Sequence, residues 1–269
     1  MKASEILDKI KTLKSEKAAC KVVDSSNKIN INSAFGKLGS KYSSLYSPDL
    51  MMAVTLTGQL SLLMLIERLE GAGISVVSAN TDGTVSLMSK DKYELYDSIC
   101  FNWELDTNFE LEETVYSALY SRDVNNYLAV KTNGETKGKG VFTSGGINKN
   151  PSASICVTAV IEFLTNDAPI RETITQCTDI KQFLSVRTVN GGATWRDQYL
   201  GKVVRWIYST DGCEIRYKNA NKTGGHNKVA KSDGARPVMT LGEFPKDIDY
   251  ERYVEESLSM LGDLGLVNF

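Results

Sequence analysis

Ile74-Ser-Val-Val-Ser-Ala-Asn80-Thr81-Asp82-Gly83-Thr-Val-Ser-Leu-Met88 holds two short, β-rich runs parted by turn residues. Asn80-Thr81-Asp82-Gly83 predicts a tight turn, and its flanks predict the strands of a β-hairpin. A carboxylate at such a tip is exposed, rigidly placed and able to bind a hard cation. Asp and Gly are also good turn residues, so the pair serves an ordinary turn equally well. Upstream, Asp49 after Pro48 opens a long apolar helix that runs to Leu69 and is stopped by Gly71 and Gly73. Its run Leu50–Ile66 is interrupted by Thr55, Thr57, Gly58, Gln59 and Ser61, which predicts a buried helix rather than a membrane span. Downstream, Asp91–Trp103 reads as a helix. Phe109–Tyr120, Tyr127–Val130 and Thr136–Phe142 read as strands, the last after an Asn133-Gly134 turn. Hairpin-joined antiparallel strands backed by helices predict an α+β fold.

The 269 residues suffice for one large domain or two smaller ones. Lys and Arg number 31, Asp and Glu 33, and the net charge of −2 excludes a uniformly basic nucleic-acid coat protein. The single histidine, His226, excludes two-histidine zinc sites and makes a Ser-His-Asp triad a poor fit. His226 itself reads as a loop residue. Cys20, Cys100, Cys156, Cys177 and Cys213 form no Cys-x-x-Cys motif, which predicts reduced thiols and a cytoplasmic setting. The Lys- and Glu-rich N-terminus does not read as a signal peptide.

Charge is zoned. Residues 1–41 carry +5, residues 42–120 carry −9, residues 181–236 carry +7 and residues 237–269 carry −5. Two basic zones flanking an acidic one fit a metal-holding centre between walls that grip phosphates, and also fit ordinary solvated surface. Ala3–Ala19 predicts a helix with Ile6, Ile10 and Leu13 on one face. From Pro151 the chain changes character. A helix at Ala153–Leu164 precedes a mixed basic region, and Asp249–Leu261 reads as a final helix. The expected boundary falls near residue 146, in Ser144-Gly145-Gly146.

Two further stretches carry chemistry. In Lys28-Ile-Asn-Ile-Asn32-Ser33-Ala-Phe35-Gly36-Lys37, helical winding puts Lys28, Asn32 and Phe35 on one face, a stripe suited to a triphosphate, a sugar and a base. Ile29 and Ile31 alternate as a strand would, so both windings stay open. Arg122-Asp123-Val-Asn125-Asn126-Tyr127 continues to Lys131 and Lys137-Gly-Lys139, a hairpin whose Tyr127, Lys137 and Lys139 suit a phosphate backbone. Gly134–Lys139 falls one residue short of a P-loop, and no Ser or Thr follows Lys139. Arg205 in Lys202-Val-Val-Arg205-Trp206 suits duplex backbone or plain surface. Trp103, Trp195 and Trp206 read as packing residues.

In this order, the three motifs resemble the C-terminal half of a family B DNA polymerase of bacteriophage type. The resemblance implies an antiparallel palm sheet backed by helices, residues 42–146. A helical fingers remnant spans residues 1–41, and a mixed, mostly helical thumb spans residues 147–269. It implies that Lys28 contacts the incoming triphosphate, that Asn32 and Phe35 line the nucleotide pocket, and that Gly36 admits the template. Asp82 corresponds to a metal-binding palm aspartate. Asn126, Tyr127, Lys137 and Lys139 correspond to the primer-gripping segment, and Arg205 to a thumb contact with the primer-template. The implied reaction is template-directed nucleotidyl transfer from deoxynucleoside triphosphates with two Mg2+ ions. No membrane partner is implied.

The sequence departs from the family in three places. Asn80 stands where an aspartate is usual, and Asn126 where a lysine is usual. The upstream Asp-x-x-Ser-Leu-Tyr-Pro motif, which carries the second catalytic aspartate, does not precede Lys28. Ser44-Leu45-Tyr46-Ser47-Pro48 imitates it on the wrong side and without the Asp. The 3′–5′ exonuclease domain is also missing. The expectation is a C-terminal fragment or split subunit, nearly inactive without an N-terminal partner that supplies the exonuclease and the other aspartate. The alternative is a non-catalytic nucleic-acid-binding protein derived from a polymerase. A metal-dependent phosphohydrolase using Asp82 and Asp106 ranks below both.

Overall fold

The computed structural model describes the backbone of residues 3–143, 151–218, 227–240 and 242–266, and the side chains of these from residue 19 onward except Ile31. The chain divides into two compact units, residues 1–111 and 112–269. The boundary expected near residue 146 and the loop placement of His226 lie outside the described residues.

The first unit opens with α1 (Ala3–Leu38), a single helix of 36 residues and about 54 Å. It settles the winding of residues 28–37 as helical. α2 (Pro48–Gly71) begins with proline in its first turn and Asp49 beside the helix N-terminus, both favourable there. β1 (Ser75–Asn80) and β2 (Gly83–Leu87) pair antiparallel, with Asn80 opposite Gly83. α3 (Tyr93–Thr107) ends where Asn108 turns left-handed, φ 55°. One small core joins α2, β1 and α3: Leu65 and Leu69 of α2, Ile74, and Trp103 of α3, with Val76 of β1 packed against them. Trp103 Nε1 donates to the Ser61 carbonyl at 2.7 Å, so its polar edge is bonded while its ring is buried.

Burial corrects one expectation. α2 was expected to be buried, yet only Leu65 and Leu69 are. Leu50, Met52, Val54, Leu56, Leu60 and Leu63 are exposed. Among the described residues, the hairpin and α3 cover only the C-terminal half of this 24-residue helix, from about Ser61 onward.

In the second unit, β3 (Tyr116–Asp123), β4 (Asn126–Lys131) and β5 (Thr136–Lys139) form a three-stranded antiparallel sheet. Gly140–Phe142 then turns as a short 3-10 helix rather than continuing the expected strand. The strands assigned to one palm sheet thus fall into two separate sheets, one in each unit. β3 also begins later than Phe109. Residues 109–115 hold Glu110, Glu112 and Glu113, and the pairing with β4 starts only at Tyr116.

Leu128 and Phe142 carry the three-stranded sheet into the main core. That core also holds α4 (Ser154–Asn166), α5 (Ile170–Gln176), α6 (Ile180–Phe183) and α7 (Tyr250–Asp263). In α7, Asp249 caps the N-terminus by accepting from Arg252 N. Tyr253, Val254, Ser257 and Leu261 line its buried stripe. The mixed basic region is a four-stranded antiparallel sheet ordered β8–β6–β7–β9. Its members are β6 (Ser185–Trp195), β7 (Gln198–Cys213), β8 (Arg216–Tyr217) and β9 (Ala235–Pro237). Val204 and Trp206 of β7 face a second core, while Ile207 and Tyr208 enter the first. The C-terminal part is therefore mixed, with its longest strand, β7, contributing to both cores.

Candidate nucleic-acid interface

The expected site residues group by unit. Asp82 lies exposed in the turn between β1 and β2. Thr81 Oγ1 donates to Asn80 Oδ1 at 2.9 Å and braces the turn beside it. Among the described residues, no group of three or more His, Cys, Asp or Glu side chains is placed to hold a metal. Asp106 pairs with Arg68 at 2.7 Å.

Lys28, Asn32 and Phe35 share one face of α1, at spacings of four and three residues, and all three are exposed. Lys28 pairs with Asp24, one turn back, at 3.0 Å. Both side chains are mostly in solvent, so this pair holds Lys28 weakly and yields to a better anion. A Cβ at Gly36 would meet nothing within 4 Å. No close approach within the described chain explains a glycine in the last turns of this helix.

In the second unit, strand register decides what comes together. Tyr127 opposes Lys139 and Ala129 opposes Lys137, so Tyr127, Lys137 and Lys139 stand on one face of the three-stranded sheet. Leu128, on the opposite face, is buried in the core. Lys139 Nζ lies 6.0 Å from the Tyr127 ring centroid. One face is thus anchored, and the other presents two exposed ammonium groups beside a half-buried phenol.

Asn126 is bonded within the chain at both ends of its amide. Its amide donates to Asp123 Oδ1 at 2.8 Å and Oδ2 at 2.9 Å, and its Oδ1 accepts from Val141 N at 2.9 Å. Gly140, at φ 63°, passes so close to it that a Cβ would meet Asn126 Oδ1 at 2.2 Å. Asn126 therefore ties the β3–β4 turn to the turn after β5. Hydrogen bonds from the Asn126 amide, then from the Asn125 backbone, hold the Asp123 carboxyl below the usual carboxylate range. Asp123 is the anchor that sequence reading missed. Its signal was an Asp two residues before an Asn in a turn.

Arg205 is exposed on β7 opposite Val186. The apolar length of α2 also matters here. Its 24 residues have a mean hydropathy of 1.6 in an 18-residue window that is 6% buried. By length and composition α2 can cross a membrane, though core helices meet the same standard.

A scan against protein-family models and a search of curated proteins each find no match to this chain.

Proposed function

We propose that the chain is the C-terminal part of a family B DNA polymerase of bacteriophage type, a fragment or split subunit, with Asp82 as one of its two metal-holding aspartates. The observation that carries the reading is Asp82 at an exposed hairpin tip, in chain order between the Lys28–Asn32–Phe35 stripe and the Tyr127–Lys137–Lys139 face. A cation, an amide and an aromatic ring on one helical face suit a nucleoside triphosphate. Two lysines and a tyrosine on one sheet face suit a primer backbone. Two Mg2+ ions would supply the activation of the primer 3′-hydroxyl and the neutralisation of the departing pyrophosphate. Asp82 and an aspartate outside this sequence would hold them. Lys28, Asn32 and Phe35 orient the nucleotide, and Tyr127 with its lysines positions the primer end.

The exposed apolar face of α2 supports an N-terminal polymerase part as its cover. Met52, Leu56, Leu60 and Leu63 lie on the side of the helix opposite Leu65 and Leu69, an exposed stripe outside the small core of the described residues. A bilayer suits this helix less well. Residues 42–120 carry −9, and anionic headgroups repel such a surface.

The test mixes the purified chain with an N-terminal part that holds the exonuclease domain and Asp-x-x-Ser-Leu-Tyr-Pro. It then follows primer extension with Mg2+. Extension by the mixture and by neither part alone is expected. A chain that never contributes to extension overturns the reading.

A second reading is a nucleic-acid-binding protein that uses its basic zones alone, and it is favoured by one observation: among the described residues, no group of three or more His, Cys, Asp or Glu side chains is placed to hold a metal with Asp82. There, Asp82→Ala leaves binding unchanged. Charge reversal at Lys202 and Arg205 weakens binding and lowers the salt slope by about one for each phosphate no longer gripped.

A further inference from the structure

The three tryptophans differ in one respect. Trp103 Nε1 donates to the Ser61 carbonyl at 2.7 Å, and Trp195 Nε1 to the Ala235 carbonyl at 2.9 Å. Trp206 is 1% exposed, yet its indole N–H has no acceptor among the described residues. A buried N–H without a partner forfeits the hydrogen bond it makes with water in the unfolded chain.

Trp206 lines a pocket of about 340 Å3 at the margin of the four-stranded sheet. Register explains the rest of the lining. Ser185 opposes Trp206 and Arg187 opposes Val204, so Ser185 and Arg187 share the Trp206 face. Ser152 bridges to Ser185, and Thr188 and Lys231 complete the polar wall. The lining offers two cations, three hydroxyls and the Trp206 side chain, and no carboxylate. Lys231 reaches Glu256 of α7 at 3.3 Å, a partner outside the lining. Arg187 is exposed and has no ion pair among the described residues. Arg205 opposes Val186 and so projects from the other face of the sheet.

We propose that this pocket binds a phosphate group, with Trp206 Nε1 as a donor and Arg187 and Lys231 as its counter-charges. A tetrahedral oxyanion has acceptors in several directions and suits donors that converge from a strand pair and a neighbouring loop. The lining includes none of Lys28, Tyr127 and Arg205, and the inference holds whether or not the chain is a polymerase. The group is either a free phosphate or phosphomonoester, or a phosphodiester of a nucleic-acid strand.

The experiment labels the full chain with 15N-tryptophan and reads the three indole N–H resonances, assigned by single Trp→Phe variants. Inorganic phosphate is titrated at constant ionic strength against chloride, then a short single-stranded oligonucleotide. Saturable movement of the Trp206 resonance is expected, with Trp103 and Trp195 still. Arg187→Gln, a surface change, should weaken the effect about tenfold or more. Movement with phosphate marks a free-phosphate site, and movement with the oligonucleotide alone marks a strand-binding one. A Trp206 resonance that stays still with both, or that moves equally with chloride or in the Arg187→Gln protein, overturns the proposal.

Discussion

Gly36 sits two residues from the end of α1 and meets nothing that needs its lack of a side chain. Gly36→Ala should therefore stabilise the helix by about 0.5–1 kcal/mol, read as a higher melting temperature. If Gly36 admits the template, the same variant extends primers more slowly in the reconstituted mixture. Tyr253 shows the opposite economy. Its hydroxyl donates to the Phe183 carbonyl at 2.9 Å and accepts from Tyr208 N at 2.8 Å, fully buried. Tyr253→Phe leaves both backbone groups unpaired and should cost about 1–3 kcal/mol in denaturant unfolding. Cys156 is buried as well, and burial pushes its thiol up to about 12 from an ordinary 9.0. Because the folded value is raised, its stabilising contribution is complete below pH 9 and is lost as pH climbs towards 12. At about pH 8 a thiol reagent should modify exposed Cys20 rapidly and Cys156 only after unfolding.

Among elements, α2 is the decisive one. Leu60 is 61% exposed, on the side away from the Leu65–Leu69 core. Leu60→Glu should leave the isolated chain as folded as before by circular dichroism, and more soluble. It should abolish primer extension by the mixture if an N-terminal polymerase part covers this face. Binding of the unaltered chain to neutral or anionic vesicles would assign the face to lipid instead. The periodic apolar patterns of α2, α4 and α7 were legible because each buries a stripe or runs apolar throughout. The hairpin around Asp82 was legible from its turn residues. The β6–β7 hairpin was not. Its two-residue loop, Arg196-Asp197, takes φ of 46° and 66°, a conformation usually signalled by Asn or Gly. Gly191, Gly192 and Gly201 further break the strand alternation. The ambiguity of Lys28–Lys37 was of another kind. Ile29 is exposed in the folded unit, so it left no buried stripe to fix the period.

For the molecule as a whole, charge zoning remains the broadest signal in the sequence. Residues 1–41 and 181–236 are basic, and residues 42–120 are acidic around Asp82. Their placement in two separately packed units was not legible, because it depends on which strands share a core. Leu128 commits β4 to the core of α4 and α7 rather than to the hairpin of the first unit. The proposed phosphate-gripping role predicts strong salt dependence, with DNA affinity falling as salt rises from about 50 to 200 mM. The direct test of the central claim is primer extension by the reconstituted mixture, comparing Asp82→Ala with Asp106→Ala. Asp106 is engaged with Arg68 and serves as the control. Loss of a metal-holding carboxylate removes several kcal/mol of transition-state stabilisation, so Asp82→Ala should slow extension by on the order of a hundredfold or more. Asp106→Ala should extend at nearly the unaltered rate. Normal extension by the Asp82→Ala protein would contradict the account.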